Sequence, residues 1–317
     1  MNIFIAGGTG AIGRLLVPLL VNAGHKVVAL ARSADRASQL KQMGAVPVVG
    51  DVYDEARLAR LVAESGAEVV IHQLTAFGTA TGDPYAETIR VRTEGTRSLL
   101  AAAHAAGARR FIAQSISFMC SPISSGLTDE ETPLYLDSPP AVRALAQAIA
   151  SLERQTLEAS GLAGTVLRYG WFFGPGTSYD PDGTIPTAIR NGTYPIVGAG
   201  AGAYSYIDLR DAATATIKVL AHEATGIYNI VNDAPVRLSE WLPFAAGLLD
   251  APAPSHMDEA LARQKLGDMR VYYMNEQRGA SNAKAKRELN WQPAFPSWRA
   301  GFEALYLAGS RGASSAA

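Results

Sequence analysis

Cysteine is nearly missing from this chain of 317 residues: Cys120 stands alone. An intrachain disulfide is therefore impossible, and zinc sites built from several thiolates are excluded. The reducing cytoplasm is the expected compartment. Long apolar runs are missing as well. No stretch approaches the roughly 18 uninterrupted apolar residues of a membrane span, and Met1-Asn2-Ile3-Phe4-Ile5 enters a strand without the basic start of a signal peptide. Neither sign of charge is in surplus. With 18% charged residues and a net charge of −1, no clustered basic face for nucleic acid or an anionic membrane is expected. Lysine is scarce too, with none between Lys41 and Lys218.

What is present is an alternation. Runs rich in Val and Ile at 2–6, 26–31, 46–50, 68–72, 110–114 and 164–168 read as strands. Helical patterns fall at 11–23, 34–43, 54–64, 84–106, 141–160 and 211–221. Strands with little polar alternation, separated by amphipathic helices, predict an α/β fold with a doubly wound parallel sheet. After residue 170 the regularity gives way to Gly- and Pro-rich segments with aromatics, followed by helical patterns at 238–248, 257–266, 281–289 and 297–308. The expected organisation is a nucleotide-binding domain over 1–170, a smaller C-terminal substrate-binding lobe over 171–308 with some segments returning to the main domain, and a flexible tail over 309–317. The Ser-, Pro- and Gly-rich stretch between Ser117 and Pro140 reads as a loop near the site, with Asp129, Glu130 and Glu131 as a solvated face.

"NIFIAGGTGAIGRLLVPLL" is a strand, a Gly turn and a helix in succession. Gly8, Gly10 and Gly13 fit G-x-G-x-x-G, and Gly7, Gly10 and Gly13 fit G-x-x-G-x-x-G. Such a turn brings the backbone close to a pyrophosphate seated on the N-terminal end of the helix. Gly7, Thr9, Gly10, Ala11, Ile12 and Gly13 are therefore the candidate phosphate-binding residues. The second strand ends in Arg32 and Ser33, with Arg36 one helical turn on and no acid at the strand end. An acid there suits the ribose hydroxyls of NAD, and an Arg suits a 2′-phosphate. The expected cofactor is NADP(H).

These features resemble the extended and atypical short-chain dehydrogenase/reductase superfamily. The resemblance rests on "GGTGAIG" at 7–13, "GDVYD" at 50–54, "VVIHQLTA" at 69–76, "LRYGWFFGPGT" at 167–177, "YSYIDLRDAATA" at 204–215 and "GIYNIVNDAPV" at 226–236. It implies a Rossmann fold, with Asp51 and Val52 beside the adenine and Gln73, Leu74 and Thr75 beside the cofactor ribose. It further implies Tyr169 and Gly170 near the nicotinamide, with Trp171, Phe172 and Phe173 walling the pocket; Phe118 and Tyr206 are further candidate substrate-binding residues.

Members with ordinary catalysis carry a Ser or Thr after the fifth strand and Tyr-x-x-x-Lys on the next helix. The Lys lowers the tyrosine pKa, and the Tyr moves the proton that accompanies hydride transfer. Here none of the twelve tyrosines has a Lys four residues later. Matching "ALAQAIASLE" by its Glu153 puts Leu145 at the Tyr position and Ile149 at the Lys position. The usual Ser position falls near Ile116, between Ser115 and Ser117. The proton must then come from a substrate hydroxyl, from water, or from a replacement side chain: Ser115, Ser117, Tyr204 or Tyr206. An unassisted Tyr, with a pKa of ~10, is a usable acid and a poor base, which favours reduction.

The expected function is an NADPH-dependent reductase of a ketone or quinone-like carbonyl on a fairly large substrate. A polyketide or other secondary metabolite fits the tailoring roles that the resemblance implies. Two other functions are weighed against it: a nucleotide-sugar epimerase or dehydratase, and an NADP-binding sensor without chemistry. The expected partners are one small-molecule carbonyl substrate and no nucleic acid or membrane, in a monomer or homodimer. No metal-ligand spacing is visible.

Overall fold

The computed structural model describes residues 1–76, 84–123 and 125–313. The first half alternates strand and helix. β1 (Asn2–Ala6), α1 (Gly13–Asn22), β2 (Lys26–Ala31), α2 (Ala34–Gln42), β3 (Val46–Val49), α3 (Glu55–Ser65) and β4 (Val69–His72) run in order. There follow α4 (Pro84–Arg90), a π-helical turn at Val91–Gly95, α5 (Thr96–Ala105), β5 (Arg110–Ile116), α6 (Pro140–Leu157) and β6 (Ala163–Tyr169).

The remainder holds β7 (Trp171–Phe173), α7 (Thr184–Arg190), β8 (Ile196–Val197), β9 (Ala203–Tyr204), β10 (Tyr206–Asp208), α8 (Leu209–Ala221) and β11 (Gly226–Ile230). The chain then forms β12 (Val236–Arg237), α9 (Leu238–Leu248), β13 (His256–Met257), α10 (Glu259–Leu266), α11 (Asp268–Val271), α12 (Ala283–Leu289) and α13 (Trp298–Ala313).

Seven parallel strands form the central sheet in the order β11-β6-β5-β4-β1-β2-β3. Ile3 pairs with both Val27 and Val69, so β1 is a central strand whose neighbours come from opposite directions of the winding. That reversal opens a crevice at the carboxyl ends of the strands, where ligands of such sheets bind. Helices cover both faces, which explains why the strands read as unbroken apolar runs. One face packs Ile3, Ile5 and Val27 against Leu16 and Val17 of α1; the other packs Phe4, Val28 and Val70 against Leu58 and Val62 of α3.

Two expectations about the elements change. The predicted helix over 84–106 is interrupted by the π-helical turn. The tail predicted from 309 is helical through Ala313, and residues 314–317 lie outside the described residues, as does residue 124 within the predicted loop. The seventh strand, β11, has no counterpart among the predicted strands. Tyr228, Asn229 and Ile230 of this edge strand are buried beside β6.

Candidate active site

The crevice is a cavity of about 570 Å³. Its wall is built from residues just past the strand ends: Gly7 and Thr9–Gly13 after β1, Arg32 after β2, Asp51 and Val52 after β3, Gln73–Ala76 after β4, and Gly170 after β6. Glycine is required in the first turn. At Gly7, φ is +101° and an added Cβ would stand 2.6 Å from the Gln73 carbonyl. At Gly13 a Cβ would stand 2.3 Å from the Gly7 carbonyl oxygen, so α1 could not approach the turn. Gly10 N donates to Gly7 O and Arg14 N to Gly10 O, closing the turn ahead of α1 with Ala11 and Ile12 in the cavity wall.

At the β2 end, Arg32 and Arg36 both face the cavity. Arg36 Nη1 donates to Thr9 Oγ1 at 2.8 Å, and neither Arg forms an ion pair with a carboxylate among the described residues. A glycine turn at a helix N-terminus with two unpaired guanidinium groups beside it is a donor set that fits a dinucleotide. Ser33 does not line the cavity. It caps α2, its hydroxyl accepting from Arg36 N. Tyr169 is also outside the wall, its hydroxyl bonded to Thr216 Oγ1 at 2.9 Å.

The other end of the cavity is aromatic. Phe118 and Trp171 stack with ring centroids 4.1 Å apart, and Phe172, Tyr204 and Tyr273 stand with them in the wall. Phe173 and Tyr206 do not line it. They are buried in an aromatic core with Trp241 and Phe302 that lies behind Tyr204, whose ring stacks on Tyr206. Burial holds the Tyr204 phenol well above its ordinary pKa, so it is a proton-bearing donor at neutral pH.

The two serines take other duties. Along β5 and its extension, Gln114, Ile116 and Phe118 face the cavity, and Ser115 and Ser117 do not. Ser115 Oγ donates to Glu153 Oε1 at 2.7 Å. Arg168 holds the same carboxylate with two hydrogen bonds, Nε to Oε1 at 2.8 Å and Nη2 to Oε2 at 2.7 Å. Arg168 and Glu153 expose 4% and 6% of their side chains, so this is a buried pair that ties β6 to α6. Glu130 is likewise not solvated: it is half-buried and its carboxylate accepts from Asn229 N.

Leu145 and Ile149 are fully buried among Ile116, Met119, Val142 and Met269. Among the described residues, α6 contributes none to the cavity wall. Cys120 is buried, with its thiol pushed up to about 11 by desolvation. His72, at the end of β4, is buried and accepts at Nδ1 from Leu74 N, leaving Nε2 to donate to Thr96 Oγ1. Desolvation, with the nearby Arg92 charge, lowers its pKa to about 3. The unfolded chain therefore binds a proton at His72 that the folded chain refuses. Stability at this group is complete above pH ~6.5 and is lost as pH falls toward 3. At pH 5 the loss is about 2 kcal/mol, and unfolding curves of His72→Gln should lack that increment.

Sequence reasoning did not single out Arg92, Tyr85, Arg270 or Tyr273, all of which line the cavity. Tyr273 lies in a second π-helical turn, Tyr272–Glu276, far along the chain from any recognised motif. Among the described residues no helix is long and apolar enough to cross a membrane, and no group of His, Cys, Asp and Glu could hold a metal ion.

Three comparisons agree with this architecture. Residues 3–231 match the model of the NAD dependent epimerase/dehydratase family. The 3-diazoavenalumate denitrifying reductase of a Streptomyces species is 42% identical over 305 residues, covering 95% of this chain and 99% of that protein. The 4-hydroxy-2-methyl-3-oxo-4-farnesyl-3,4-dihydroquinoline-1-oxide ketoreductase of Stigmatella aurantiaca is 27% identical, covering 98% of each chain. In fold, the chain superposes on the UDP-glucose 4-epimerase of Thermotoga maritima with a TM-score of 0.77 at 20% identity, covering 99% of this chain and 100% of that one. The crevice at the strand ends, the glycine turn and the match over most of the chain have one conclusion: this protein belongs to the NAD dependent epimerase/dehydratase family.

Proposed function

We propose that this protein is an NADPH-dependent reductase of a planar aromatic electrophile whose reduction needs no proton from the enzyme. A diazo-substituted aromatic acid is the first candidate. The observation that carries the reading is the wall itself: the positions assigned to Tyr and Lys, Leu145 and Ile149, sit in an apolar cluster behind it, and His72 remains neutral at working pH. Gly7–Gly13 would hold the pyrophosphate, Arg32 and Arg36 the 2′-phosphate, and Gly170 would stand by the nicotinamide. The cofactor so held supplies a hydride, and hydride delivered to an aryl diazonium replaces N2 by hydrogen without an acid or base on the protein. The protein's own task is then to orient a flat substrate against Trp171 and Phe118 and to keep water out.

The name of the 42% identical relative supports a diazo acceptor. A quinone-like or ketone carbonyl is the second reading, favoured by the similarity to a ketoreductase and by the Tyr204 phenol in the wall, which can donate to a developing alkoxide. A sugar epimerase fits less well, because oxidising a sugar hydroxyl is the step that most needs an activated tyrosine.

The test is incubation of the protein and NADPH with aromatic diazo acids and with a quinone and ketone panel. The reading expects one N2 released per NADPH oxidised with the diazo acids. Carbonyl reduction alone would select the second reading, and no oxidation with any compound would leave the sensor. The cofactor assignment has its own check: Arg32→Ala should raise KM for NADPH by about 10- to 100-fold and leave NADH nearly unchanged. Equal effects on both cofactors would contradict a 2′-phosphate role.

A further inference from the structure

Arg92 lies in the π-helical turn between α4 and α5, a distortion that often marks functional sites. It is 1% exposed and lines the cavity. Its Nη1 donates to the Gln114 carbonyl at 3.2 Å, its Nε has no hydrogen-bond partner, and it forms no ion pair with a carboxylate among the described residues. Glu153, the buried acid whose field reaches it, is already occupied by Arg168 and Ser115. Arg92 thus has no carboxylate of its own among the described residues.

The groups around Arg92 leave that charge standing. His72 stays neutral, and the buried Tyr273 phenol is held in its protonated form. The acids in the cavity wall, Asp51 and Glu87, are both exposed. Desolvation lowers the Arg92 pKa to about 10, which still leaves a cation at neutral pH. A buried charge without a partner costs stability unless a ligand neutralises it. Donors with no buried acceptor to match them call for an anion.

We propose that Arg92 is the residue of this cavity that binds the substrate's anionic group, and that the substrate class is a planar aromatic molecule bearing an ionised oxygen, a phenolate or a carboxylate, which Arg92 receives. The inference shares its cavity with the reductase reading and deepens it by naming the charge of the substrate. The aromatic rings of Trp171, Phe118 and Tyr273 then cover the flat part of the molecule, and the guanidinium fixes which end is innermost.

The test uses p-nitrophenol and p-nitrobenzoate, with their uncharged isosteres p-nitroanisole and methyl p-nitrobenzoate, titrated calorimetrically into the protein saturated with NADP+. At least one anion should bind about tenfold or more tighter than its isostere, and Arg92→Met should abolish the difference. Arg92→Lys should keep part of it, and Arg270→Met, at another cationic position in the wall, should keep all of it. If p-nitrophenol is the ligand, its bound pKa should fall by at least about one unit, the equivalent of that tenfold, and the fall should vanish in Arg92→Met. Melting curves of each variant identify an unfolded protein, in which case Arg92→Lys and the wild-type phenol shift decide.

Equal binding of anion and isostere, a preference that survives in Arg92→Met, or no binding of either anion would overturn the proposal. Because NADP+ carries no hydride, the result does not depend on turnover. Anion binding at Arg92 in a protein that never oxidises NADPH would sink the reductase reading alone.

Discussion

Glu153→Ala should cost about 3–5 kcal/mol of folding stability, the range for removing one partner of a buried ion pair. Glu153 takes hydrogen bonds from both Arg168 and Ser115, so its loss leaves a buried cation without its carboxylate and a buried hydroxyl without its acceptor. Denaturant unfolding monitored by tryptophan fluorescence measures the change. Glu153→Gln should recover part of the loss, since the amide oxygen still accepts but the charge is gone. Replacing both partners by apolar residues, Glu153→Leu with Arg168→Met, should cost less than Glu153→Ala, because the uncompensated charge leaves with its partner. A loss of under about 1 kcal/mol, the range of an exposed pair, would show that water reaches the site.

Installing the family's motif should damage the protein rather than restore chemistry. Ile149→Lys places an ammonium among Leu145, Met119, Val142 and Met269, all buried. Neutralising a fully buried lysine takes a pKa shift of 3–5 units, about 4–7 kcal/mol, which approaches the total stability of an ordinary domain. The double variant Leu145→Tyr, Ile149→Lys should therefore melt far below the parent or fail to fold, and should gain no ketone reduction. A double variant that melted within a few degrees of the parent and reduced ketones faster would mean that α6 still faces the reacting atoms.

The fold was legible because each of its signals is local. Apolar runs such as 26–31 and 68–72 must be buried on both faces, and Gly7, Gly10 and Gly13 follow a strand and open a helix, so sequence order alone marks the phosphate turn. Along the substrate side, the legible signals ran out. Whether Phe172 or Phe173 faces the cavity depends on the pairing of β7 with β10, a register set by tertiary structure. Ser115 and Ser117 lie at the expected strand end, but strand alternation turns both from the cavity and leaves Gln114 and Ile116 facing it. Arg92 was invisible for a different reason. In a helix of ordinary pitch an arginine between Val91 and Thr93 reads as a surface charge, and the sequence carries no mark of the extra residue in that turn.

On the proposed reductase reading, hydride transfer proceeds without a proton from the protein. The most direct measurement is the single-turnover rate of NADPH oxidation by a diazo-substituted aromatic acid, in H2O and in D2O, with C4-deuterated NADPH as the comparison, across pH 6–9. The expected result is a primary isotope effect on the transferred hydride, a solvent isotope effect close to unity, and a rate that does not vary with pH once the substrate's own ionisation is taken into account. A substantial solvent isotope effect, with a rate that follows the titration of a protein group, would contradict it.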